Sequence, residues 1–229
     1  MAVLQSNYIP WKGYFDIIRQ VDEFILYDDV QYTKNDWRNR NQIKTPQGRQ
    51  WITIPVLMSG KFGQRIDETQ VANAQWASKH FKSLEQSYGR CDFFALYRDE
   101  LAALYDAAKT EPMLSQINHR FITTICRWLD IKTPITWSTD YDLPEALDKN
   151  DRLLLLLQKA KARTYISGPS GQNYIDEKSF TDAGITLRYA AYRYPAYPQP
   201  YPPFEHGVTV LDLLFNTGKN AQRYLEQKT

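Results

Sequence analysis

Residues 2–31 constrain the fold more than any other stretch of the chain. Ala2-Val3-Leu4 and Glu23-Phe24-Ile25-Leu26-Tyr27 are short apolar runs of strand type, and between them Phe15, Ile17, Ile18 and Val21 recur with helical period. Two apolar strands joined by a crossover helix make a parallel β–α–β unit, because parallel strands need a connection of that length. Pro10 suits the loop or the first helical turn, where its missing N–H is not needed. Gly13 removes a side chain where another group must come close. In open α/β sheets, ligands sit beyond the carboxyl ends of the strands. That rule gathers Gln5, Asn7, Tyr8, Trp11 and Tyr14 after the first strand, and Asp28, Asp29 and Gln31 after the second, as candidate site residues. The amides of Gln5 and Asn7 need partners if they are buried without a ligand. A packed aromatic loop around one proline is the plain alternative. Paired carboxylates at such an edge can hold a metal, a hydroxyl or a ribose, or can cap the next turn.

Thr45-Pro46-Gln47-Gly48 is turn chemistry flanked by alternating residues, which predicts a β-hairpin over about 37–56. Arg38, Arg40 and Lys44 fall on one face of its first arm, with Asn39, Asn41 and Ile43 on the other. Aligned cations can grip a phosphate or carboxylate, arginine bidentately; a solvated hairpin face is the ordinary alternative. Residues 73–130 read as three helices, the first capped by Asn73 and ended by Gly89. His80 and His119 lie inside them, where a lone histidine is more often structural or solvated; His80 is retained as a candidate catalytic residue. Three further strands are expected at 135–138, 164–167 and 185–189, with an amphipathic helix running to Ala162 between the first two. Ser167-Gly168-Pro169-Ser170-Gly171 follows the fourth strand, and its backbone N–H groups can cradle an anion there. Residues 192–204 carry five prolines among tyrosines, which excludes a regular helix and predicts an extended strap or lid. A buried helix follows from Val208.

Lys plus Arg is 28 against 26 acids, a net charge of +2, so no nucleic-acid footprint is visible. Cys91 and Cys126 lack metal-type spacing and read as thiols in a reducing cytosol rather than a disulfide. No pair of histidines has zinc spacing and no Gly-x-Ser-x-Gly elbow occurs, so no metal site is expected, and the cofactor is left open. The longest aliphatic run, Leu153 to Leu157, is too short to span a membrane. A cytoplasmic protein is expected, with one α/β domain over residues 1–229. The expected core is a mostly parallel, Rossmann-like sheet of about five strands, with a hairpin insertion and a helical insertion.

Five segments in order resemble the WbqC-like protein family: Gln5 to Phe15, Asp28 to Gln31, Arg38 to Lys44, Ser167 to Tyr174, and Leu211 to Asn216. Position 6 is Ser where Pro is common, and Gln172 stands where Lys is expected. The resemblance implies an enzyme of bacterial surface-polysaccharide (O-antigen) precursor synthesis. Its reaction would transfer a glycyl or other acyl group to a nucleotide- or lipid-linked amino sugar. The implied partners are a small phosphate-containing sugar and an acyl donor on coenzyme A or a carrier protein. On that reading Gln5, Asn7, Tyr8 and Trp11 hold the sugar or base. Arg38, Arg40, Lys44 and the 167–171 loop bind phosphate, and Tyr14, Gln31, Asn39, Asn41 and Tyr174 complete the substrate-binding set. Asp28 or Asp29 takes a proton from the attacking amine. The alternative is a non-catalytic nucleotide-sugar-binding or scaffold protein. A weaker similarity to cytidylyltransferase-like nucleotidyltransferases puts Trp11 and Tyr14 where those enzymes carry two histidines, and neither side chain can replace them.

Overall fold

The computed structural model describes residues 1–144 and 146–225. Strand β1 (Ala2–Leu4) and helix α1 (Lys12–Arg19) lead into β2 (Phe24–Leu26). β1 and β2 pair in parallel with Val3 opposite Ile25. The β–α–β reading of the first residues therefore holds. α1 buries Phe15, Ile17 and Ile18 completely, so its apolar stripe supplies the packing that an eight-residue helix needs.

The hairpin is β3 (Arg40–Thr45) against β4 (Gly48–Thr53), antiparallel, with Gly48 at φ +106° after the turn. Helices α2 (Gln75–Tyr88), α3 (Phe94–Ala108) and α4 (Leu114–Trp128) fill the expected helical stretch. The Asn73 side chain accepts from Gln75 N–H at the start of α2. Strand β5 (Ile135–Trp137) then adds to β2 in parallel, giving the order β1-β2-β5. Helix α5 (Lys149–Lys159) is capped by Asp148, and β6 (Thr164–Ser167) follows it. A short helix, α6 (Glu177–Asp182), leads to β7 (Thr186–Tyr189), which pairs in parallel with β6.

The parallel strands do not form the single five-stranded sheet expected from the sequence. They form a three-stranded and a two-stranded sheet. The two meet at Met1, whose amine donates to the Thr164 carbonyl (2.6 Å) and whose carbonyl accepts from Ile166 N–H (2.8 Å). The second edge of the three-residue β1 faces β6, and the bonds at Met1 bridge them without extending into one continuous sheet. The strap at 192–204 holds no regular element, as its prolines require, and helix α7 (Val210–Thr217) is buried behind it. Both cysteines are free. Among the described residues no helix is long and apolar enough to cross a membrane.

Candidate functional site

The loop after β1 turns sharply. Ile9, a β-branched residue, sits at φ +36°, a conformation that costs on the order of 1–3 kcal/mol and persists only when its surroundings enforce it. Asn41 enforces it: its Nδ2 donates to the carbonyls of Tyr8 (3.1 Å) and Ile9 (2.9 Å). The turn sends Tyr8 inward and leaves Asn7 at the surface of a cavity. Tyr8 is fully buried, with its Oη 2.9 Å from His80 Nδ1 and 2.7 Å from Tyr105 Oη. Burial holds the His80 ring down to about 4, so the imidazole is neutral at ordinary pH. Tyr8 and His80 thus belong to an interior cluster with Trp76 and Phe121. Tyr14 is also buried and donates to the Gln5 carbonyl at 3.1 Å.

Two cavities open beyond the carboxyl ends of the three-stranded sheet. The first, about 220 Å³, is lined by Asp28, Asp29 and Asp67, by Trp137, Ser138 and Thr139 after β5, and by the start of α4. Asp28 is 1% exposed. Its Oδ1 accepts from Ser6 N–H at 2.7 Å, while its Oδ2 has no protein partner. Burial pushes this carboxyl up to about 6, against the pull of the Ser6 amide and of the Arg38 charge. Asp29 differs: it accepts from Arg152 and from Ser138 Oγ, each at 2.5 Å. Asp67 is paired with Arg65 through two hydrogen bonds. Among the described residues no group of three acidic, histidine or cysteine side chains is arranged to hold a metal ion.

The second cavity, about 280 Å³, is lined by Asn7, Pro10, Trp11, Trp37, Asn41 and Gly207. Asn7 Oδ1 is buried there without a partner. Trp11 is braced edge-to-face by Tyr192 (4.7 Å between ring centres) and Tyr194 (5.9 Å). A Cβ on Gly13 would lie 2.3 Å from the Trp11 ring, which is the close approach that calls for glycine. Gly13→Ala is therefore expected to displace the indole and destabilise the protein by about 1–3 kcal/mol, read as a lower urea midpoint and altered tryptophan fluorescence.

The basic row of the hairpin does not act as one unit. Arg38 lies in the turn before β3, with its carbonyl held by Asn118. The Arg40 guanidinium stacks over Trp51 at 4.2 Å. Lys44 is buried and donates to Gln199 Oε1 and the Pro203 carbonyl under the strap. Asn39 donates to the Ile54 carbonyl, and Gln31 is exposed, bridged to Arg65. The 167–171 loop forms a 3-10 turn, Pro169–Asn173, in which Gly171 N–H is bonded to the Gly168 carbonyl. Ser167 is buried, Ser170 and Tyr174 are exposed, and neither cavity is lined by this loop. Sequence reasoning missed Asp67, Trp37, Ser138 and Asn118 as members of this region. Ser138 could have been found, since it ends a strand at the same edge; Asp67 and Asn118 carried no local signal.

These features define an α/β protein whose loops build two cavities beyond the ends of short parallel strands, one acidic and one aromatic. The chain belongs to the WbqC-like protein family, whose model matches residues 5–224. A protein of Mycobacterium tuberculosis (strain ATCC 25618 / H37Rv), described as "Uncharacterized protein Rv1507c", is 47% identical over 226 residues, 98% of this chain and 96% of that one. No solved structure matches the chain.

Proposed function

We propose that this protein transfers an acyl or aminoacyl group to the amine of a sugar, in the synthesis of surface-polysaccharide precursors. The observation that carries the reading is Asp28, a buried carboxylate with one oxygen unpartnered at the wall of an acidic cavity. An amine arrives as an ammonium and must lose a proton before it attacks. Asp29 and Asp67 are neutralised by Arg152 and Arg65, so Asp28 is the carboxylate of this wall left to favour a cation, with Trp137 on the same cavity. Asp28 Oδ2 accepts the proton, and a carboxyl raised to about 6 is a stronger base than an ordinary one while still ionised near neutrality. The freed nitrogen forms a bond to the acyl carbon of a thioester donor, on coenzyme A or a carrier protein, and the thiolate leaves. Asp29, tied to Arg152 and Ser138, holds the wall of the cavity and is not the base. The polysaccharide setting comes from the family resemblance alone.

The test is incubation with amino sugars in nucleotide-linked form and acyl-coenzyme A thioesters, followed by mass spectrometry. A mass gain on the sugar that requires Asp28 supports transfer. Binding of the sugar without any mass gain would favour the non-catalytic binding module instead.

A further inference from the structure

The aromatic cavity carries features that a proton-transfer site does not need. Trp37 and Trp51 are 42% and 41% exposed, yet their rings are only 5.2 Å apart. The Arg40 guanidinium covers Trp51 at 4.2 Å, and the Trp37 and Trp51 rings meet tilted by 40°, so the three form an aromatic–cation cluster at the hairpin surface. Trp37 is also fixed through its backbone, because its carbonyl accepts from Tyr8 N–H at 3.0 Å. The same cavity is lined by Trp11, held by Tyr192 and Tyr194. Two braced indoles on one cavity make a platform for a flat ring. Asn7 adds a buried carbonyl oxygen with no partner, an acceptor for an N–H on that ring's edge. Asn41 cannot serve this way, since its amide is committed to Tyr8, Ile9 and Gln42.

Arg38 lines neither cavity but neighbours a residue of each. It follows Trp37 directly in the chain, and its charge acts on the Asp28 carboxyl. Its side chain is 12% exposed and lies 3.5 Å from Asp36, while its Nε is buried without a partner. Lys44 is engaged with the strap, and Arg40 with Trp51 and the Asn35 carbonyl, although Arg40 Nε, like Arg38 Nε, is buried without a partner.

We infer that the aromatic cavity is a nucleobase subsite, so that the amino sugar is presented as its nucleoside diphosphate derivative. The base stacks on Trp37 and Trp11 with an edge on Asn7, the phosphates meet Arg38, and the sugar amine reaches Asp28. This rests on the transfer reading for the sugar end alone; the base and phosphate ends stand on the second cavity. It excludes a purely lipid-linked acceptor, which has no ring to stack.

The test is calorimetric titration with uridine, cytidine, guanosine and thymidine diphosphates, with the matching nucleosides, and with inorganic pyrophosphate. At least one nucleoside diphosphate should bind more tightly than its own nucleoside and more tightly than pyrophosphate. Trp37→Ala should weaken that nucleotide about tenfold or more, since stacking of one base is worth that much, and should leave pyrophosphate within about twofold. Arg38→Gln should weaken nucleotide and pyrophosphate together. Phe62→Ala removes a fully exposed ring outside both cavities and should change nothing. Absence of binding by every nucleoside diphosphate at millimolar concentration overturns the inference, as does binding indifferent to Trp37→Ala. Nucleotide binding lost in Trp37→Ala, with no acyl transfer by the wild type, sustains the subsite while the transfer reading fails.

Discussion

Asp28→Asn is expected to lower acyl transfer by about 10²- to 10⁴-fold, the usual worth of a positioned general base, while making the folded protein more stable at pH 8. The two effects have one cause. Asparagine keeps the acceptor that Ser6 N–H uses, so the loop after β1 retains its anchor. What it removes is a charge that burial disfavours. The carboxyl rises from 3.8 to about 6 on folding, so the native state binds a proton more tightly than the unfolded chain. That contribution is fully present below about pH 4 and is lost as pH rises through 6. The rise corresponds to about 3 kcal/mol once both states are ionised. The variant should therefore exceed the wild type by up to that amount at pH 8, with the margin closing as pH falls through 6. Urea unfolding of both proteins at pH 8, 6 and 4.5 measures it. The wild-type transfer rate should rise through about pH 6 to a plateau. A variant that is less stable at pH 8 would show that Asp28 has a favourable partner in the fold, and would remove it as the free base.

Asp212→Ala is expected to cost about 3–5 kcal/mol, the largest stability loss anticipated for a single side chain here, because it strands buried charge. Asp212 is fully buried in the first turn of α7 and accepts from Tyr197 Oη (2.6 Å) and Gln199 Nε2 (2.7 Å). Its negative charge also supports Lys12 and Lys44, which are 1% and 2% exposed. Lys12 Nζ donates to the Pro195 carbonyl and lies 4.9 Å from the Tyr197 ring centre and 5.2 Å from that of Tyr194. The strap is therefore pinned by two ammonium groups and one carboxylate. Removing the carboxylate takes away the counter-charge that offsets the burial of Lys12, which already holds it down to about 8, and leaves Lys44 with the charge of Glu205. A fall in melting temperature of roughly 10 °C should follow for a chain of this size, together with faster proteolysis within 192–206. Asp212→Asn, which keeps an acceptor for Tyr197, should lose less. Equal losses in both variants would mean that the hydrogen bonds, and not the charge, hold the strap.

Much of the fold was legible because it is local. The period of Phe15, Ile17 and Ile18 between two apolar runs specifies a crossover helix, and Pro46-Gln47-Gly48 specifies a hairpin turn. The prolines of the strap exclude a helix whatever they pack against. The short helix α6 and the 3-10 turn Gly218–Tyr224 escaped notice, since neither is long enough to show a period.

The candidate site was legible only in part. The rule that ligands gather beyond strand ends drew attention to Asn7, Trp11 and Asp28, all of which line cavities. It drew equal attention to Tyr8 and Tyr14, which the fold turns inward, as it does His80 and Lys44, singled out on other grounds. Local sequence says which residues leave a strand together. It does not say which way each one faces, because a single strained residue such as Ile9 redirects its neighbours, and the clamp on Ile9 is Asn41, more than thirty residues away. The difference between Asp28 and Asp29 is of the same kind. They are adjacent and chemically identical, and only the arrival of Arg152 and Ser138 from distant elements quenches one and leaves the other with a free oxygen. The sequence by itself determined most of the elements, the first parallel β–α–β unit and the residue types brought to its edge. The tertiary structure alone decided which of those groups are paired, and so which are left free for chemistry, because pairing depends on contacts between residues that no local pattern relates.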